Sequence, residues 1–134
     1  KQCQALQLAS AVLVPSAELL GAARALGLDK LRLITPGVAV EAFKPLTSKR
    51  PARHQLGLPL SGPLVATLAA NYASAQARCQ ALESEVTIVP IDADPAQLLP
   101  VCDVYMDLGT PDPTPLLQAL SCGLPVVVAP GPLA

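Results

Sequence analysis

Imidazole, thiol and carboxylate groups are the usual material of a catalytic or metal site, and this sequence holds few of them in a working pattern. His54 is the only histidine, and no orienting carboxylate accompanies it in the short helical stretch it shares with Leu56, so it reads as a surface residue rather than a general base. Cys3, Cys79, Cys102 and Cys122 are widely spaced and form no C-x-x-C pair. That spacing lacks the signature of a zinc site or a redox pair and leaves buried free thiols as the expectation. Ser16 and Ser61 have no G-x-S-x-G context, and Asp92, Asp94, Asp103 and Asp107 have no calcium-loop spacing with a terminal Glu. Asp103 reads as a turn-setting residue that bonds its own backbone before a strand.

The remaining chemistry belongs to the backbone. Thr114-Pro115 is a helix start. A helix that opens there directs backbone N–H groups outward, those of Leu116 and Leu117 among them, and its dipole favours an anion. Capping by Thr114 and a first helical residue at Pro115 account for the same two residues without any ligand. Gly37, in the turn Pro36-Gly37-Val38, either takes a positive backbone angle and lets a ligand approach closely, or is an ordinary turn glycine.

These residues need elements to hold them, and the sequence alternates strand and helix. Residues 11–14 form a short apolar run. Ser16 then offers an N-cap oxygen, and Leu19, Leu20, Ala23 and Leu26 keep helical spacing up to Gly27. Residues 31–34 are the next strand, which makes a parallel strand–helix–strand unit with a right-handed crossover. Residues 37–62 change character and read as a linker. Beyond them the alternation resumes, with strands at 64–68, 86–91, 104–108 and 126–129 and helices over 74–82, after Asp94-Pro95 and after Thr114-Pro115. Val126, Val127 and Val128 show no polar alternation, the pattern of a strand covered on both faces, although no helix is expected to follow and cover it. The fold class that follows is α/β, a Rossmann-like parallel sheet with helices on both faces.

Composition narrows the function classes. The chain has 134 residues, 51% hydrophobic and only 14% charged, which suits a folded core and not disorder. The formal net charge is −1, no basic run is present, and the aromatics Phe43, Tyr72 and Tyr105 are scattered. Nucleic acid is therefore excluded as an expected partner. No apolar run reaches the roughly 20 residues of a transmembrane helix and the N-terminus shows no signal pattern, so the expected location is cytoplasmic, extending to the cytoplasmic membrane face.

Three stretches together resemble the retaining glycosyltransferases of the GT-B fold, in the glycosyltransferase group 1 or family 4 class. The first comprises residues 10–16 and 26–34 with Pro36, Gly37, Val38, Phe43 and Pro45. The second is residues 53–68. The third is residues 101–129, in which Gly123-Leu124-Pro125-Val126-Val127 is the clearest part. The resemblance implies the end of an acceptor-type Rossmann domain over 1–36, a linker over 37–62, and a shortened donor-type Rossmann domain over 63–134. It further implies transfer of a hexose from a nucleoside-diphosphate sugar to a hydroxyl acceptor, glycan or lipid-linked, with retention and without a cofactor or obligatory metal. The donor would lie along Thr110, Asp112, Thr114, Leu116, Leu117 and Gln118, with Gly37 as a cleft glycine. Where the family carries a Gly-Arg turn and a Lys for the donor diphosphate, this chain reads Ala69-Ala70-Asn71-Tyr72-Ala73-Ser74. Where the family carries two Glu residues, Thr110 and Gln118 stand here, with Asp112 as a stand-in for the first. Gln118 retains an amide that can bond ribose hydroxyls. These departures bring in two alternatives: a non-catalytic interaction module that pairs with a partner transferase subunit, and an incomplete gene product.

Overall fold

The computed structural model describes residues 2–82, 85–92, 94–110 and 112–130, and divides the chain into two compact units, Lys1–Gly37 and Val38–Ala134. The first unit holds α1 (Gln2–Gln7), β1 (Val12–Val14), α2 (Ala17–Ala25) and β2 (Leu31–Leu33). β1 and β2 pair in parallel, Val12 against Leu31 and Val14 against Leu33. Ser16 caps α2 as expected, its Oγ accepting the Leu19 N–H at 3.2 Å. The α2 stripe of Leu20 and Ala23 packs on a small core of Val14, Leu28 and Leu31, while Leu13 and Leu33 remain exposed. α1 has neither a cap nor an apolar period to announce it. The side chain of Cys3, expected to be a buried thiol, lies outside the described residues.

The second unit contains α3 (Arg50–Gln55), β3 (Leu64–Leu68), α4 (Tyr72–Gln80), β4 (Thr87–Ile91), α5 (Pro95–Leu98), β5 (Val104–Asp107), α6 (Thr114–Ser121) and β6 (Val126–Val128). Its four strands are all parallel, in the order β4-β3-β5-β6, which makes a Rossmann-like α/β unit with helices on both faces. β3 is central and apolar, with Leu64, Val65, Ala66 and Thr67 all buried. Its neighbours β4 and β5 show the burial alternation of half-covered strands. Leu64, Ala66, Val89, Ile91, Leu99, Val101 and Tyr105 form one core with Ala119, Cys122 and Leu124.

Residues 38–62, expected as a linker, pack onto this core: Phe43 is buried, and Val38, Ala52, Leu56 and Leu58 lie against it. The Ser121 hydroxyl donates to the Phe43 carbonyl, tying that segment to the end of α6. α6 closes on Gly123 at φ +74°, with the Leu124 N–H returning to the Ala119 carbonyl, the left-handed helix terminus that glycine provides. A Cβ at Gly123 would stand 3.2 Å from Pro45 Cγ, so the same turn also seats Pro45.

β6 carries the pattern of a strand covered on both faces, yet Val127 is 52% exposed, so an unbroken apolar run does not by itself secure burial. One expectation is corrected here. Asp103 does not bond its own backbone. Its carboxylate accepts the Leu64 N–H at 2.9 Å and pairs with Arg53 at 2.8 Å and Lys49 at 3.5 Å. The expected free thiols Cys79, Cys102 and Cys122 are all buried, and burial pushes the Cys102 thiol up to about 12, which makes it inert.

Candidate functional site

In a parallel sheet, ligands bind where the strand order reverses, outside the carboxyl ends of the strands. From β3 the chain moves outward to β4, then crosses back to β5 on the other side of β3, so the reversal lies between β3 and β5. The ladder there is short. β3 pairs with β4 through to Leu68 and Ile91, but with β5 only at Val65–Val104 and Ala66–Tyr105. One residue further along, the buried Thr67 hydroxyl donates to the Met106 carbonyl at 2.9 Å, so a side chain continues the link where the ladder stops. The C-terminal end of this reversal is flanked by residues 69–71 after β3 and by 108–110 and 112–113 between β5 and α6.

Asp107, at the end of β5 and only 2% exposed, shapes the second of these segments. Its Oδ1 accepts the Gly109 N–H, the Thr110 N–H and the Thr110 hydroxyl, each at 3.0 Å. Gly109 takes φ +98°, which lets the chain curl back over that carboxylate. Thr110 is thereby fixed at that end of the sheet. Nothing in the spacing of Asp107 along the sequence marks a three-donor clamp.

Asp112 forms a turn just before α6. Its Oδ1 accepts the Thr114 N–H at 2.9 Å, and Thr114, through its hydroxyl and then its amide, holds the Asp112 carboxyl below its ordinary value. The expected capping by Thr114 is corrected accordingly: Thr114 is the first helical residue, and Pro113 holds the N-cap position with no side-chain cap bond. Of the two amides expected to face an anion, that of Leu117 is taken, donating to the Pro113 carbonyl at 3.0 Å. Among the described residues, the Leu116 N–H has no protein acceptor. Gln118 is half-buried one turn beyond Thr114, on the same stripe of the helix. The structure thus gathers Thr110, Asp112, Thr114, Leu116 and Gln118 around the start of α6. Gly37 belongs to the first unit, does not take a positive φ, and a Cβ there would meet nothing within 4 Å, so neither reason for requiring glycine there holds.

The electrostatics of this end are one-sided. The strand ends and the segments that follow them carry Asp92, Asp94, Asp107 and Asp112 and neither Lys nor Arg. The cations Lys49 and Arg53 sit at the opposite end of the sheet, beside the first residue of β3. Among the described residues, no three metal-ligating side chains cluster. A recess of about 510 Å³ opens elsewhere, between α4 and the edge strand β4, lined by Tyr72, Gln76, Gln80, Glu85 and Thr87 among others. None of the sequence-predicted site residues lines it, and it lies on the outer margin of the sheet rather than at the reversal.

No protein-family model and no curated protein sequence matches the chain. Solved structures do. Anabaena Alr3699/HepE in complex with UDP and glucose superposes with a TM-score of 0.68 at 22% identity, covering 92% of this chain and 45% of that one. The same protein in complex with UDP-glucose gives a TM-score of 0.64 at 20% identity, covering 92% and 46%. This chain therefore shares its fold with a stretch amounting to less than half of a UDP-glucose-bound Anabaena protein.

Proposed function

We propose that the chain supplies the nucleotide-sugar site of a glycosyltransferase, with the nucleotide seated over the β3–β5 reversal at the start of α6. One observation carries the reading: the open Leu116 amide at the reversal, with Thr110 and Gln118 beside it, in a fold shared with a protein crystallised with UDP and UDP-glucose. The reaction in this reading is transfer of a hexose to a hydroxyl acceptor with retention, in a GT-B arrangement. Here α6 offers the Leu116 N–H to a phosphate oxygen and Gln118 offers its amide to ribose hydroxyls.

The acidic character of the crevice favours a second reading, a non-catalytic module that binds nucleotide weakly or pairs with a partner transferase subunit. Asp107 and Asp112 oppose a diphosphate, and the positions that would carry the family's cations hold Ala69, Ala70, Asn71 and Tyr72.

Calorimetric titration with UDP, on chain shown to be monodisperse, tests the first reading. Saturable binding is expected, and Asp112→Asn should strengthen it about two- to threefold, because the turn is retained while a negative charge leaves the helix N-terminus. Absence of heat with both proteins would reject the nucleotide site in favour of the module.

A further inference from the structure

Tyr105 lies on β5, two residues before Asp107 and on the same face of the sheet. Its ring is in the core with Leu64, Ala66 and Ala119, and Leu116 of α6 packs against that same cluster. The side chain is 1% exposed, yet its hydroxyl is the one buried side-chain polar atom among the described residues that lacks a hydrogen-bond partner. Burial, then the nearby carboxylates of Asp107 and Asp112, push its phenol up to about 12. The group is thus a neutral donor at ordinary pH, and its field comes from the two acids at the α6 end of the crevice.

An orphaned buried hydroxyl is costly to keep and calls for a reason. Phenylalanine would fill the same space without that cost. A second donor without a protein acceptor, the Leu116 N–H, stands at the first turn of the helix packed against the same cluster. Each unmatched donor can meet a ligand oxygen of its own, and the flanking carboxylates make an uncharged hydroxyl-bearing group a better neighbour for Tyr105 than a phosphate.

We propose that the Tyr105 hydroxyl is a ligand contact, donating to an oxygen on the nucleoside end of the bound nucleotide. The assignment rests on the nucleotide-site reading above. The hydroxyl is covered in the free chain, so binding has to displace part of that cover.

Uridine and UDP titrated calorimetrically into the full chain and into Tyr105→Phe, with thermal melts of both proteins, test it. Tyr105→Phe should melt at or above the temperature of the unaltered chain and bind both ligands about tenfold more weakly. Unchanged affinity in Tyr105→Phe, with the unaltered chain binding normally, would overturn the Tyr105 contact alone. Weakening for UDP but not uridine would overturn its placement on the nucleoside. A melt lowered by several degrees would show that the hydroxyl already has a partner in the free chain, and would overturn it as well. An unaltered chain that takes neither ligand would remove the nucleotide site and this contact together.

Discussion

Replacing Arg53 by methionine should cost the second unit about 3 kcal/mol in urea unfolding, a large part of the roughly 5–15 kcal/mol that a domain commands. Arg53 is 6% exposed, and its guanidinium does three things: Nε donates to the Val101 carbonyl at 2.8 Å, NH1 to the Gly62 carbonyl at 3.4 Å, and NH2 to Asp103 at 2.8 Å. It therefore fastens α3 to the start of β3 and to the chain entering β5. Methionine fills the space but leaves two carbonyls without this donor and the Asp103 carboxylate with only the Leu64 N–H and Lys49 as partners. Breaking a buried pair by removing one partner costs about 3–5 kcal/mol, and the lower end applies because the Asp103 side chain is 36% exposed and water recovers part of the loss. A loss under about 1 kcal/mol would mean that α3 holds to the sheet by its apolar side alone.

The same pin makes stability acid-sensitive in a definite direction. Burial alone raises the Asp103 carboxyl, but the Leu64 N–H, the Arg53 guanidinium and the Lys49 ammonium outweigh it and leave the group below its ordinary value. A carboxyl depressed in the folded state contributes stability that is fully present above its unfolded value and is lost as the pH falls through the folded one. The unaltered chain should lose stability progressively below about pH 4, and Asp103→Asn should start less stable but lack that component of the decline.

Asp107→Ala should weaken UDP binding at least tenfold and cost about 2 kcal/mol of stability, because two amides and a hydroxyl lose one shared acceptor inside a buried site. Asp107→Asn keeps an oxygen where Oδ1 now stands and should restore the curl of the loop and most of the affinity. That rescue separates a geometric role from an electrostatic one. If asparagine fails as fully as alanine, the charge itself matters. If alanine binds UDP like the unaltered chain, the loop after β5 does not form the ligand site.

Most of the scaffold was legible because local signals coincide with its elements. Ser16 before the Leu19–Leu20 stripe, Asp94-Pro95, and glycine after α2 and α6 are caps and stops whose partners lie within a few residues, so spacing alone can find them. The last helix shows the limit of that method. Asp112-Pro113-Thr114-Pro115 contains two start signals in a row, and which oxygen accepts the first helical amide depends on backbone angles that the residue types leave open. Asp103 and Arg53 are 50 positions apart in sequence, so no periodicity could pair them. Three adjacent valines look alike whether or not a helix covers them, so the half-exposure of Val127 could not be read from residue types.

The chemistry around the start of α6 was less legible than the scaffold. Thr110, Asp112, Thr114, Leu116 and Gln118 lie in the segment before α6 and in its first turns, at the end of the sheet where the strand order reverses. What the residue types could not disclose is that Leu117 donates its amide within the helix, that Asp107 clamps the loop, and that Tyr105 leaves a hydroxyl unmatched beneath it. Each depends on which groups the folded backbone places opposite one another.

The account turns on where a nucleotide touches this chain. Amide chemical shifts followed by NMR during a UDP titration read that location directly. Saturable shifts should concentrate at Gly109, Thr110, Thr114, Leu116 and Gln118, with the amides of Gly62 and Leu64 at the opposite end of the sheet left in place. Saturable shifts at Gly62 and Leu64 or along the α4–β4 recess, or a spectrum that UDP leaves unchanged, would contradict it.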